Sequence, residues 1–111
     1  MKRLVFAIAV SLCAFSLLAA DAPDAAALYK TNCVACHGAD GKGLTPVGKS
    51  LHVKDLGSED VQKMSGEDLE KIISEGKGKM PSYKSKLSES DIDALVKLIR
   101  TFAPRVRKLG S

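Results

Sequence analysis

The feature that most constrains this chain is the run Cys33-Val34-Ala35-Cys36-His37. Two thiols separated by two residues lie one helical turn apart, and at this spacing they can add to the two vinyl groups on one edge of a porphyrin. The histidine directly after the second thiol is then held where a ring nitrogen reaches the iron. The run therefore predicts one covalently attached haem c, bonded to Cys33 and Cys36, with His37 as an iron ligand.

Two other kinds of site use closely spaced cysteines. A thioredoxin-like redox pair follows a strand in an α/β fold, and no strand pattern surrounds Cys33 and Cys36. A structural zinc site needs a second pair of ligands, and the only other cysteine, Cys13, lies in the apolar N-terminal segment. The haem interpretation is therefore favoured.

The first 20 residues have the layout of a secretory signal peptide, with a basic pair, an apolar run and then small alanines. We predict cleavage after Ala20, with Ala22 as the alternative, which leaves a domain over 21–111 in the periplasm or outside the cell. An uncleaved anchor that tethers the domain to the membrane is the second interpretation, and lipid attachment at Cys13 is the third.

Length and charge limit the remaining possibilities. A chain of 111 residues forms one domain, and removing Lys2 and Arg3 from its 17 basic residues leaves 15 against 13 acidic ones. This balance gives no nucleic-acid-binding stripe, and we expect a monomer with no membrane contact after cleavage. The only aromatic residues beyond the signal segment are Tyr29, Tyr83 and Phe102. A core this small favours a domain that is completed by a cofactor.

Capping residues and apolar spacing predict helices joined by glycine-rich loops. A first helix is predicted over 23–32, with Asp21 as its N-cap and alanines in its interior. The glycines and proline of residues 38–57 predict a loop, and a short helical turn is predicted over 58–64.

Two further helices have clear boundaries. Ser65 is the predicted N-cap of a helix that ends at Gly76. Ser88 is the predicted N-cap of the last helix, which Pro104 terminates. Apolar residues recur along this last helix at helical spacing and form one stripe. With no credible strand, the fold class is predicted to be all-α.

The iron needs a sixth ligand or an open face, and three side chains are candidates. Met80 lies in the irregular Gly76–Pro81 loop between two helices, from which a thioether can reach the iron. Met64 follows a short turn, where burial among aliphatic neighbours is its simpler role. His52 lies in a polar loop, where a histidine is usually solvated. Met80 is the favoured ligand.

The chain resembles the class I cytochromes c, particularly the small bacterial monohaem kind. The likeness runs from Leu28 to Asn32, through the cysteine–histidine run and Gly38 to Gly41, to Met80-Pro81 and the last helix. It implies a small cytochrome c fold, with helices and glycine-rich loops wrapped around one haem, in which the first and last helices cross.

The resemblance also implies roles for single residues. His37 is the proximal ligand and Met80 the distal one. Pro46 matches the loop proline whose carbonyl accepts a hydrogen bond from the proximal histidine, which would fix the orientation of the imidazole. Tyr83 matches an aromatic position packed near the haem.

A haem iron with both axial positions filled suits electron transfer and leaves no vacant site for a substrate. We therefore predict a single-electron carrier that shuttles between redox partners of a respiratory or dehydrogenase chain, and not an enzyme. One alternative is a haem enzyme or ligand sensor in which Met80 is labile. Another is a fixed electron-entry subunit of a larger oxidoreductase.

Lysines cluster around the predicted distal ligand, at positions 77, 79, 84 and 86. A positive rim at this point would steer an acidic redox partner toward the haem edge. The alternative is that these lysines only keep an exposed loop soluble. A marked slowing of partner reduction by salt would distinguish the first from the second.

Overall fold

The computed structural model describes residues 22–104, so the predicted signal peptide, Asp21 and the C-terminal tail lie outside the described residues. Within this range six helices follow one another along the chain: α1 (Ala25–Asn32), α2 (Val34–His37), α3 (Pro46–Ser50), α4 (Glu59–Gln62), α5 (Gly66–Glu75) and α6 (Glu89–Thr101). The described part of the chain has no strand, only an isolated bridge between Lys77 and Met80. The predicted all-α class is confirmed.

Helix α1 begins later than predicted. Its N-cap is Asp24, whose carboxylate accepts a hydrogen bond from the Ala27 backbone N–H at 3.1 Å. The prediction of Asp21 as the cap is wrong, because Asp24 is the carboxylate that stands directly before the first helical residue and reaches the free N–H groups of the first turn.

The segment predicted as one long loop contains α3, so that prediction is wrong in part. The Thr45 hydroxyl caps this helix by accepting from the Gly48 N–H at 2.9 Å, and Pro46 occupies its first turn. A side chain at Gly48 would meet the backbone carbonyls of Cys36 and Gly43. Glycine, which ordinarily weakens a helix, is here required because α3 packs directly against α2.

The other predicted helices are confirmed. Ser58 caps α4 and Ser65 caps α5. Ser88 caps α6 through a reciprocal box, in which its hydroxyl accepts from the Asp91 N–H at 3.1 Å and the Asp91 carboxylate accepts from the Ser88 N–H at 3.0 Å. Helix α6 ends at Thr101, ahead of Pro104.

The core lies between α1, α5 and the apolar stripe of α6. Helices α1 and α5 both pack against α6, as the predicted crossing of the first and last helices requires. Leu95, near the middle of the stripe, is 1% exposed. Tyr29 of α1 is buried and its ring centroid lies 5.4 Å from that of Phe102. The remaining buried members are aliphatic: Leu56, Val61, Leu69, Ile73, Leu87, Ile92, Val96 and Ile99.

A polar connection not predicted from the sequence joins α6 to the segment around α4. The Gln62 amide donates to the carbonyls of Leu56 (2.7 Å) and Ile99 (3.0 Å). In return, the Arg100 guanidinium donates to the carbonyls of Gln62 (3.0 Å) and Met64 (2.6 Å). These bonds hold one wall of the cavity described below against the last helix.

Candidate functional site

A cavity of about 310 Å³ lies among the helices and brings together the residues singled out in the sequence. Cys33, Cys36, His37 and Met80 all line it. Most of its other walls are aliphatic: Leu51, Val53, Leu56, Val61, Leu69, Ile72, Ile73, Leu87, Leu95 and Ile99. Its volume is in the range of a ligand pocket, and its lining suits a flat apolar group with a few polar contacts.

The two cysteines lie one turn apart at the junction of α1 and α2. Cys33 ends α1, and the N–H groups of Cys36 and His37 both donate to its carbonyl, at 3.2 and 2.8 Å. Both thiols are free and half-buried. Burial, and secondly the charge of Cys36, raise the pKa of the Cys33 thiol to about 11. A thioredoxin-like pair needs a thiol pKa lowered toward neutrality, so Cys33 does not have the property of such a pair.

Within residues 22–104 no group of three or more His, Cys, Asp or Glu side chains is placed to hold a metal ion.

His37 presents a half-buried imidazole to the cavity. Burial lowers its pKa, which favours the neutral ring that binds iron. Its Nδ1 atom is buried and has no hydrogen-bond partner. Pro46, the predicted acceptor for this ring, is the exposed first residue of α3, and no hydrogen bond joins its carbonyl to His37. The role of Pro46 stays a prediction, while the unpaired nitrogen identifies the atom that needs such a partner.

All three candidate distal ligands line the same cavity. Met80 is half-buried in a tight turn, where its N–H donates to the Lys77 carbonyl at 3.0 Å and its carbonyl accepts from the Lys77 N–H at 3.1 Å. Met64 is half-buried and packs against the core. His52 is exposed, with a left-handed backbone of φ 53°. Placement alone therefore does not choose between the two thioethers.

Tyr83 lines the cavity and connects its two sides. Its phenol donates to the carbonyl of Asn32 at 2.9 Å, which ties the segment after Met80 to the end of α1. Burial first, and then the charges of Cys33 and Cys36, raise the pKa of this phenol. The hydroxyl therefore stays protonated and keeps its donor role at neutral pH.

The charged residues that line the cavity are all basic. Lys54, Lys77 and Lys79 belong to its lining, and among the described residues no Asp or Glu does. Lys84 and Lys86, the other two lysines of the predicted rim, are exposed but lie outside the lining. The Lys86 ammonium lies 5.8 Å from the centre of the Tyr83 ring.

Sequence reasoning missed Tyr29 and Lys54, of which Tyr29 is the more consequential. Its ring lines the cavity and its buried phenol donates to the Gly38 carbonyl at 2.6 Å. That bond closes the chain around the cysteine–histidine run, from α1 before the run to the residue directly after it. The spacing of one helical turn between Tyr29 and Cys33 was the available signal.

Comparison with known proteins gives concordant matches. Residues 20–99 match the family model described as cytochrome c oxidase, cbb3-type, subunit III. The chain is 36% identical over 76 residues to a cytochrome c6 of Nostoc sp., covering 68% of this chain and 66% of that protein. It is 31% identical over 102 residues to a cytochrome c6 of Gloeothece citriformis, covering 84% of this chain and 87% of that protein.

Solved structures of c-type cytochromes are also similar to this chain. The KustC0563 c-type cytochrome superposes with a TM-score of 0.67 at 34% identity, over 72% of this chain and 98% of that one. Cytochrome c6C from Synechococcus sp. gives a TM-score of 0.54 at 27% identity, over 70% of this chain and 93% of that one.

A helical shell around an apolar cavity with two thiols, an imidazole and a thioether defines a class of haem proteins with a covalently attached cofactor. With the matches above, the chain belongs to the small monohaem class I cytochromes c. The residues fit the haem c that the family binds covalently: the thiols are one turn apart, the walls are aliphatic, and His37 is neutral with an unpaired ring nitrogen. Like its relatives, the protein is an electron-carrying haem protein.

Proposed function

We propose that this protein is an exported single-electron shuttle in which Cys33 and Cys36 hold the haem and His37 and Met80 are its axial ligands. The bound haem supplies a one-electron iron couple, and thioether ligation raises its reduction potential relative to two nitrogen ligands. The observation that carries the proposal is that all four side chains line one apolar cavity. The residues around the cofactor exclude water and hold it in place.

The surroundings of Met80 favour a carrier over an enzyme or a sensor with a labile ligand. Two backbone bonds pair Met80 with Lys77, and the Tyr83 phenol anchors the following segment on Asn32. A ligand held in this way needs little rearrangement when the iron changes oxidation state. The cavity lining also offers no carboxylate, within residues 22–104, that would act as a general acid or base.

Two further residues have proposed roles toward the haem. Tyr83 packs beside the cofactor and keeps its phenol on the Asn32 carbonyl. The Pro46 carbonyl would accept a hydrogen bond from the His37 imidazole when His37 holds the haem iron. The unpaired Nδ1 atom supports this second role, because a ligating histidine almost always donates its other ring nitrogen to a protein acceptor.

We propose that an acidic surface of the redox partner docks over the lysines at the cavity, which are Lys77 and Lys79 of the predicted rim together with Lys54. Lys54, Lys77 and Lys79 line the cavity, with no opposing carboxylate among the described lining residues. Long-range attraction to such a rim raises the rate of encounter and is screened by salt.

Export to the periplasm or the cell exterior is proposed from the N-terminal segment. The family match begins at residue 20, where the predicted signal peptide ends. In residues 22–104 no helix is long and apolar enough to cross a membrane. We further propose that the released domain is monomeric and does not bind nucleic acid.

A second candidate function is that of a fixed electron-entry subunit. The description of the matching family model as subunit III of a cbb3-type oxidase favours it. Size-exclusion chromatography of the natively expressed protein distinguishes the two: a shuttle elutes at the mass of one chain plus haem, and a fixed subunit elutes with a large redox complex.

The ligand assignment is tested by comparing Met80→Ala with Met64→Ala in the exported protein. We expect a haemochrome spectrum, a mass increased by one haem, and a far-red sulfur-to-iron charge-transfer band in the wild type. The band should disappear in Met80→Ala and persist in Met64→Ala, the matched control with the second thioether of the cavity. Loss of the band in Met64→Ala alone would reverse the assignment, and a colourless protein would end the proposal.

The docking surface is tested by oxidation kinetics with charged inorganic oxidants. Lys77→Gln/Lys79→Gln is compared with Lys63→Gln/Lys97→Gln, which removes equal charge at ion pairs elsewhere on the surface. We expect the first pair to slow oxidation by ferricyanide roughly fivefold at low salt, with a small effect of the second pair. Oxidation by a cationic cobalt complex should instead become faster in Lys77→Gln/Lys79→Gln, because the repulsion between like charges is reduced. Equal effects of the two double variants would place the docking face elsewhere.

A further inference from the structure

The chain turns back on itself directly after α5, and Gly76 lies at the point of closest approach. Gly76 ends α5 with φ 80° and ψ 168°, in a left-handed region that is essentially restricted to glycine. A Cβ atom at this position would lie 2.6 Å from the Met80 carbonyl oxygen, 2.9 Å from the Ser82 nitrogen and 3.0 Å from the Pro81 carbonyl carbon. All three are backbone atoms, so no flexible side chain can move aside to make room.

Hydrogen bonds join the residues that follow Pro81 to the last turn of α5. The Ser82 hydroxyl and the Lys84 N–H both donate to the Ser74 carbonyl, at 2.5 and 3.0 Å. The Tyr83 N–H donates to the Ile73 carbonyl at 3.1 Å. Together with the paired Lys77–Met80 turn, these bonds allow the Met80 backbone few other positions.

We propose that Gly76 is a positioning residue for the axial methionine. The absence of a side chain at residue 76 lets the Met80 backbone lie against the end of α5, and this placement sets how far the thioether extends into the cavity. The inference rests on the proposed role of Met80 as the iron ligand. A larger residue at position 76 would move the Met80 backbone outward and weaken the sulfur–iron bond while leaving the cysteine attachment in place.

Gly78 provides a matched control in the same turn. It is also left-handed, with φ 57°, but a Cβ atom placed on it meets nothing within 4 Å. Alanine at either position carries a backbone penalty for positive φ, and the penalty is larger at position 76, where ψ is 168°. Only alanine at position 76 adds the collision with the Met80 segment, so the difference between the two variants reports how any side chain at residue 76 affects the position of Met80.

The test uses the exported, haem-bound protein and compares wild type, Gly76→Ala and Gly78→Ala. We expect Gly76→Ala to lose most of the far-red charge-transfer band, to have a lower reduction potential, and to bind carbon monoxide in its reduced state at least about tenfold more tightly. Gly78→Ala should keep the band and stay within about twofold of wild type for carbon monoxide. Far-ultraviolet circular dichroism confirms that each variant is folded.

Three results are informative. Equal band intensity and carbon monoxide affinity in the two variants would overturn the positioning role. A wild type without the band would instead refute the ligand assignment on which it rests. If Gly76→Ala does not fold, Ser82→Ala tests the same fastening without a collision, because it removes only the hydroxyl that bonds Ser74. It should raise carbon monoxide affinity by about fivefold, and an unchanged affinity would refute the inference.

Discussion

Replacement of Tyr29 by phenylalanine should destabilise the protein at neutral pH, and this destabilisation should disappear at alkaline pH. The Tyr29 phenol is buried and donates to the Gly38 carbonyl at 2.6 Å. The same carbonyl also accepts from the Gly41 N–H at 3.1 Å, so it keeps one partner in the variant. The expected loss at pH 7 is therefore near the lower end for a buried hydrogen bond, about 1 kcal/mol, or roughly 4–8 °C in Tm.

The loss of stability of the wild type at alkaline pH follows from the ionisation of the Tyr29 phenol. Burial first, and then the charges of Cys33 and Asp40, raise the pKa of Tyr29 from 10.0 to about 12. The stabilisation by the phenol is fully present below the unfolded-state pKa and is lost as the pH rises through the folded-state pKa. With these values the unfolded tyrosine is about nine-tenths ionised at pH 11 and the folded one about one-tenth, which lowers the free energy of unfolding by about 1.4 kcal/mol. This figure is an upper bound for the haem-bound protein, in which Cys33 would have no free thiol to ionise.

This loss is comparable to the neutral-pH benefit of about 1 kcal/mol, so the stability advantage of wild type over Tyr29→Phe should disappear near pH 11. Guanidinium unfolding of the haem-bound proteins from pH 7 to 11 measures the difference in the free energy of unfolding between wild type and Tyr29→Phe. Effects common to both proteins cancel in this difference. Tyr83→Phe is the control: its phenol also donates to a backbone carbonyl but is only half-buried, and its pH-dependent change should be smaller. If the difference in the free energy of unfolding between wild type and Tyr29→Phe stays constant from pH 7 to 11, the raised pKa of the buried phenol does not contribute to stability.

Three further substitutions test the packing around the site. Arg100→Met removes two charged hydrogen bonds to carbonyls of the 62–64 segment and should cost about 2 kcal/mol in guanidinium unfolding; an unchanged midpoint would contradict a structural role for that connection. Ser88→Ala breaks the reciprocal cap with Asp91 and should cost about 1 kcal/mol, whereas no change in Tm would show that the cap is redundant. Leu95→Ala should cost about 2–5 kcal/mol in thermal unfolding, and a loss under 1 kcal/mol would mean that the cavity wall collapses to fill the gap.

Predictions that depended on neighbouring residues agree well with the structure. The caps at Ser65 and Ser88 and the end of α6 ahead of Pro104 all lie where the sequence placed them. Each depends on a side chain and a backbone group within one turn of each other, so the surrounding fold changes them little. The N-cap of α1 differed because two aspartates compete near its start, and the sequence does not show at which residue the helix begins.

Contacts between distant segments were not predictable in this way. Helix α3 forms in a segment of glycines and proline because α2 packs against it, and Gly48 has no local preference for a helix. The bonds of Gln62 and Arg100 join residues 36 to 38 positions apart along the chain. Likewise, spacing along the chain does not show that Nδ1 of His37 is buried without a hydrogen-bond partner.

The sequence by itself determined the chemistry of the cofactor, because thioether attachment and proximal ligation need only two thiols and an imidazole within one turn of chain. The tertiary structure decided the surroundings: which aliphatic side chains enclose the cavity, which lysines reach its edge, and how closely the Met80 segment approaches the end of α5. Those properties depend on the close packing of segments far apart in the chain, and such packing exists only after the helices have assembled.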